Sequence, residues 1–169
     1  YEGYDDNSDG WIDLMNMFQS IALENAEYSI VNVQSLAGNR SDLWEWAKSF
    51  SQWFCDIAIW DKGHSAPAVA QNVMNSVVEF LFIHSKQNPC RAIRTANFRG
   101  TVDNIFRVSP QRNNAFAKIH GATMPCEFAE KIVTTFSSIN MIVLDLFCGT
   151  GTTLIACEKT NRICYGMEI

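Results

Sequence analysis

The sequence has no Cys-x-x-Cys pair, no Gly-x-Gly-x-x-Gly and no Gly-Lys-Ser/Thr. The usual zinc-ribbon, nicotinamide-fold and nucleotide-triphosphatase signatures are therefore missing. Proline (4) and glycine (9) are sparse in 169 residues, which excludes collagen and low-complexity chains. No apolar run approaches the roughly 18 residues that span a bilayer. The longest, Val77–Ile83 and Met141–Leu144, are strand-sized. No basic-then-apolar leader precedes a cleavage site, so no secretory signal is visible. What is present is 47% hydrophobic, 12% aromatic and 18% charged residues, which excludes disorder and a coiled coil. A chain of this length makes about one domain and buries roughly 70% of its unfolded surface. Cys55, Cys90, Cys126, Cys148, Cys157 and Cys164 read as reduced core thiols rather than a disulfide framework or metal site. The expectation is a cytoplasmic protein with no bound metal and no membrane partner. The chain starts at Tyr1 and stops at Ile169 straight after a strand-like run, which reads as a piece of something longer.

Positive charge is scarce overall, with a net of −5, and concentrated where it occurs. Between His84 and Lys118 stand Lys86, Arg91, Arg94, Arg99, Arg107, Arg112 and Lys118 against one acid, Asp103. That surplus of six leaves the remainder of the chain at −11. A basic block inside an acidic protein is a candidate phosphate-binding surface, or a solvated loop with scattered charge.

Periodicity supplies the elements. Leu14, Met15, Phe18, Ile21 and Leu23 have near-helical spacing within Trp11–Ala26. Tyr28–Val33 is short and β-branched, a strand. Ser41 is placed to cap a helix through Phe54, with Leu43, Trp46, Ala47, Phe50 and Trp53 as its apolar stripe. Strands are expected at Cys55–Trp60 and Val77–His84, with a loop at Ser65–Val73 between them. Gln87–Lys118 reads as irregular, with one strand at Asn104–Val108. Then come a helix at Glu127–Phe136, a strand at Met141–Phe147, a glycine turn at Cys148–Thr152, a helix at Thr153–Thr160 and a strand at Ile163–Ile169. Strands alternating with helices predict an α/β layered sheet.

The glycine turn is the sharpest feature. Val143-Leu-Asp-Leu-Phe-Cys-Gly-Thr-Gly-Thr-Thr153 reads as a strand, a tight turn and a helix start. Glycines let backbone approach a ligand, and a helix N-terminus offers free N–H groups. Glu168 follows at the end of the next strand, where a carboxylate can take both hydroxyls of a ribose. A plain strand–turn–helix also fits the glycines, but it leaves Asp145 and Glu168 without a role.

Asp145-Leu-Phe-Cys-Gly-Thr-Gly-Thr-Thr153, followed by Gly166-Met-Glu-Ile169, resembles the cofactor motif of DNA amino-methyltransferases. Three further segments match in order. His120-Gly-Ala-Thr-Met-Pro125 is similar to the family's His-Pro-Ala/Thr-x-x-Pro segment, with Gly121 in place of proline and Met124 in place of a common lysine. Ile59-Trp-Asp-Lys-Gly63 and Asn75–Lys86 resemble the family's Trp-Asp-Lys-Gly strand end and the strand that follows it. The resemblance covers most of Trp11–Ile169.

The resemblance implies an enzyme that methylates the exocyclic amino group of adenine or cytosine in double-stranded DNA, using S-adenosylmethionine. A cognate restriction endonuclease is a candidate partner. It implies a Rossmann-like methyltransferase sheet with helices on both faces, circularly permuted and incomplete at both ends, as one partial catalytic domain over residues 1–169. The cofactor residues it implies are His120, Asp145, Phe147, Cys148, Gly149, Thr150, Gly151, Thr152 and Glu168. Asp145 accepts from the donor's amino end, and Glu168 holds the ribose. Residues 86–118 fall where the family places target recognition, with Lys86, Arg91, Arg94, Arg99, Arg107 and Arg112 as DNA contacts. The family's Pro-Pro-aromatic catalytic motif belongs just upstream, with Tyr1 as its last residue. That motif accepts the amino hydrogens and stacks on a base flipped out of the duplex, at a few kcal/mol. A different class is suggested by Asp5-Asp-Asn-Ser-Asp-Gly-Trp-Ile-Asp13, which fits the first nine positions of a calcium loop. Ile12 suits that loop's short strand, but Asn16 stands where the bidentate Glu belongs.

Overall fold

The computed structural model describes residues 10–65, 71–96, 98–110 and 124–168. These fall into two compact units. One comprises residues up to Trp60 together with Ser65–Ala92, and the other comprises Asp61–His64 and residues from Ile93 onward.

In the first unit α1 (Trp11–Asn25) follows Gly10, whose φ of +98° suits glycine at the helix entry. Helical spacing buries Met15, Gln19, Ala22 and Leu23 on one face. The helix occupies positions 7 to 12 of the candidate calcium loop, so Ile12 is helical and forms no loop strand. The ligand positions Asp5, Asn7 and Asp9 lie outside the described residues. β1 is Ser29–Val33, and α2 is Arg40–Ser49. The cap expected at Ser41 falls one residue inside α2. The Asn39 carbonyl accepts from Leu43 N–H at 2.8 Å, and the Asn39 side chain shapes the preceding turn by accepting from Leu36 N–H. α2 also ends earlier than expected, in a 3-10 turn at Ser51–Trp53, because the chain must straighten into β2 (Phe54–Asp61).

β3 (Val78–His84) pairs antiparallel with β1, Ser29 opposite His84 and Val33 opposite Phe80. In this unit the strands run in the order β1-β3-β2, and β4 (Ile105–Arg107) belongs to the second unit. Leu81 to His84 are buried without interruption, as a strand covered on both faces requires. The core on one face gathers Met15, Leu23, Val31, Leu43, Trp46, Phe50 and Phe82. Trp46 ties α2 to α1 by donating Nε1–H to the Met15 carbonyl at 3.2 Å. Its ring stands perpendicular to Phe82, 5.4 Å between centroids. His84 lies in the same aromatic layer, against Trp46, Phe54 and Phe82. Burial holds its pKa down to about 4.

In the second unit α3 (Cys126–Phe136) and α4 (Thr152–Lys159) cover one face of a parallel pair, β5 (Ile142–Asp145) and β6 (Ile163–Gly166). Ala129, Val133, Ala156 and Cys157 form that interior, with Val143 and Cys164 facing it. The period of two turns Ile142, Leu144, Ile163 and Tyr165 the other way. Ile142 is 67% exposed and Tyr165 60%. Two features differ from the sequence expectation. Among the described residues the strands do not form one sheet, since β5 and β6 pair only with each other. Among the described residues of this unit, helices pack on one face of the β5–β6 pair, and the other face lacks the burial a continuous apolar strand predicts. No described helix is long and apolar enough to cross a membrane.

Candidate functional site

β5 ends at Asp145 and β6 at Gly166, opposite each other in register. The chain beyond each strand stays laced to its neighbour. Met167 N–H donates to the Asp145 carbonyl and Cys148 N–H to the Met167 carbonyl, both at 2.9 Å. The turn after β5 is therefore held along the segment after β6, and the carboxylates of Asp145 and Glu168 are brought to one end of the parallel pair.

Asp145 Oδ1 accepts from Phe147 N–H at 3.1 Å, which fixes that carboxylate over its own turn. Gly149 N–H donates to Glu168 Oε2 at 2.5 Å, across nineteen positions of sequence. Gly149 (φ +51°) and Gly151 (φ +77°) occupy the left-handed region, where a side chain is strained. Gly151 N–H closes the turn onto the Cys148 carbonyl at 2.8 Å. α4 starts directly after it, so its first-turn N–H groups face the turn. The Thr150 and Thr152 hydroxyls lie 3.2 Å apart. Phe147 and Met167 are both more than half exposed, placing apolar surface beside the carboxylates in sequence. The Gly149 contact engages Glu168 Oε2 and leaves the lone pairs of Oε1 to accept from a ligand's hydroxyls or ammonium group at this end of the sheet. The Cys148 thiol is pushed above its ordinary pKa, first by burial and then by the negative charge of Asp145 and its neighbours. It is a packed thiol rather than a nucleophile. Burial likewise pushes Cys164 up to about 12.

The residues expected around the cofactor are thus brought together from Asp145 through Thr152 and at Glu168. His120 and Tyr1 lie outside the described residues, as do Arg112 and Lys118. Lys86, Arg91, Arg94, Arg99 and Arg107 are all exposed. Two are engaged by acids from outside the basic block: Arg91 Nε lies 2.9 Å from Asp56 Oδ2, and Arg107 Nε 3.7 Å from Asp61 Oδ2. Counting charge along the block misses that partial neutralisation. Sequence reasoning also missed the steric role of Gly166, where a Cβ would lie 2.6 Å from Cys148 Sγ. No local pattern signals a contact made eighteen residues away. Among the described residues no cluster of three or more His, Cys, Asp or Glu could hold a metal ion.

A family profile described as DNA methylase matches residues 1–169. The chain is similar to the type II methyltransferase M.Cfr9I of Citrobacter freundii, 27% identical over 115 residues, which cover 66% of this chain and 38% of that protein. It is 39% identical to the type II methyltransferase M.BglII of Bacillus subtilis over 59 residues, 35% of this chain and 16% of that protein. The aligned parts are thus a minor share of these curated relatives. In fold, it resembles the cytosine-N4-specific PvuII DNA methyltransferase, with a TM-score of 0.72 at 16% identity, over 95% of this chain and 67% of that one. It also resembles M1.HpyAVI in its SAM complex, with a TM-score of 0.68 at 18% identity, over 98% and 78% of the two chains.

Proposed function

The chain belongs to the N6/N4 DNA methylase family, and from that premise we propose that the turn between β5 and α4 is the S-adenosylmethionine site of a DNA amino-methyltransferase. The substrate is the exocyclic amino group of adenine or cytosine in double-stranded DNA. The observation that carries the reading is the meeting of Gly149 N–H and Glu168 across the ends of β5 and β6. The residues fit the donor's chemistry. A carboxylate at the end of β6 suits a ribose diol, a second at the end of β5 suits an ammonium group, and left-handed glycines leave the backbone bare between them.

S-adenosylmethionine supplies a methyl group already activated by its sulfonium. The protein's task is then mainly to position it. Glu168 keeps one oxygen on Gly149 N–H and offers the other to the ribose. Asp145, steadied by Phe147 N–H, accepts from the amino end. Lys86, Arg91, Arg94, Arg99, Arg107 and Arg112 supply contacts to DNA phosphates and bases, with Arg91 and Arg107 exchanging an acid for the nucleic acid. His120, in the sequence segment before α3, is assigned to the cofactor by the family resemblance.

The order of the motifs implies a permuted methyltransferase sheet. β1 stands at one end of its ladder, and β5 is an edge of its own pair. A fourth strand carrying the Pro-Pro-aromatic motif, with Tyr1 last, is assigned between them, and a third beside β6. Residues 1–169 alone are then inactive and association-prone at those edges. The test is transfer of labelled methyl from S-adenosylmethionine to duplex DNA, by the full protein and by residues 1–169 side by side. The expected result is turnover by the full protein only, on an adenine or cytosine amino group. Absence of transfer from the full protein refutes the function. Turnover by residues 1–169 refutes the placement of the catalytic motif upstream.

A further inference from the structure

Three glycines surround the turn, for two different reasons. Gly149 and Gly151 need positive φ. Gly166 does not. It is constrained by space alone: a Cβ there would lie 2.6 Å from Cys148 Sγ, 3.2 Å from Cys148 Cβ and 3.1 Å from Leu154 Cδ1. Carbon and sulfur in ordinary contact stay roughly 3.5–4 Å apart, so the sulfur would have to retreat by about 1 Å. The Cys148 backbone has little freedom to carry it there. Its N–H donates to the Met167 carbonyl, its carbonyl accepts from Gly151 N–H, and its neighbour Gly149 donates to Glu168.

We infer that the Cys148 side chain, seated in the notch that Gly166 leaves open, is a positioning device that sets Glu168 against Gly149 N–H. The interlock joins the turn to β6 at the one place where both must be in register for the carboxylate to face the ligand. The short Cys148 side chain clears the notch only by changing its rotamer or by moving the backbone that these hydrogen bonds hold. Backbone movement on filling the notch shifts Gly149 N–H away from Glu168 and misplaces the carboxylate. The functional consequence rests on the cofactor reading above. The interlock itself rests only on packing.

The test is a double-variant cycle in the full protein: wild type, Gly166→Ala, Cys148→Ala and the pair combined. Thermal melting, hydrogen exchange at the Gly149 amide and calorimetric affinity for S-adenosylmethionine are read for each. Overpacking of this kind should lower Tm by a few degrees and weaken binding by roughly tenfold or more in Gly166→Ala. The KM for the donor should rise while kcat at saturating donor holds, and Gly149 should exchange faster. Cys148→Ala alone should weaken binding less than Gly166→Ala does. The combined variant should recover most of the loss, because removing the sulfur leaves only contacts of 3.1 and 3.2 Å, which relax by a few tenths of an ångström. Cys148→Met, which fills the notch from the other side, should reproduce the Gly166→Ala defect. Unchanged Tm and affinity in Gly166→Ala, or strictly additive losses in the combined variant, would overturn the interlock. Wild type that fails to bind the donor refutes the cofactor reading instead, and the thermal cycle still decides the interlock.

Discussion

Around Trp46 the first unit excludes water on every side, whereas around Gly149 the second unit leaves backbone and carboxylate in the open. Trp46 is fully buried, its indole N–H given to Met15 and its ring set among Phe50, Phe82 and His84. Gly149 is exposed and held by the hydrogen bond that its N–H donates to Glu168. The first arrangement draws its stability from buried area, the second its precision from directional bonds on a short parallel pair. Binding sites are expected on turns of the second kind, carried by a rigid scaffold. The difference teaches that substitutions around Trp46 should act first on folding, and substitutions of the exposed turn side chains first on binding.

The sharpest way to break that division is Trp46→Ala. It removes a large ring from the aromatic layer and should destabilise the fold by about 3–5 kcal/mol, measured by denaturant unfolding. Thr150→Ala in the turn should stay within about 0.5 kcal/mol of wild type in the same assay. Equal losses at the two sites would erase the distinction.

A second prediction uses His84, the titratable member of the aromatic layer. Its pKa falls from the ordinary 6.5 to about 4 because burial penalises the charged ring. Between those values the unfolded chain takes up a proton that the folded one refuses, so stability falls as pH drops from 6.5 toward 4. The integrated loss is about 3 kcal/mol. His84→Phe should flatten that part of the acid limb in unfolding curves taken across this range. An acid limb identical to wild type would show that another group controls it.

The smallest effect is expected on the exposed basic residues. Arg99→Ala should leave stability unchanged and reduce the log–log salt slope of DNA binding by about 0.9, one phosphate's worth. An unaltered slope would make Arg99 a solvated side chain only.

Much of the fold is legible in the sequence because it is local. The near-helical spacing of Leu14, Met15, Phe18, Ile21 and Leu23 marks α1, although of these only Met15 and Leu23 are buried, the apolar run Phe80–Ile83 marks β3, and the glycines mark the turn. What could not be read there is non-local. Asn39 displaces Ser41 at the start of α2 because its carbonyl begins the helical bonding and its side chain closes the preceding turn. Met141–Phe147 reads as a strand from its apolar run, yet Ile142 and Leu144 face outward, since burial depends on what covers a strand and not on its own residues. Asp145 and Glu168 were visible as strand-end acids, but the bond from Gly149 to Glu168 follows only from the register of β5 and β6. The notch at Gly166 needed the position of a sulfur eighteen residues away.

Glu168 is where the account is most exposed to a single result. Calorimetric titration of S-adenosylmethionine into the full protein and into its Glu168→Ala variant compares the two directly. Losing a charge-assisted contact to the ribose should cost roughly 1.5–3 kcal/mol, a weakening of about 10- to 150-fold, with the unfolding transition unmoved. Wild-type affinity in the variant would contradict the assignment of this carboxylate, and with it the reading of the glycine turn as the cofactor site.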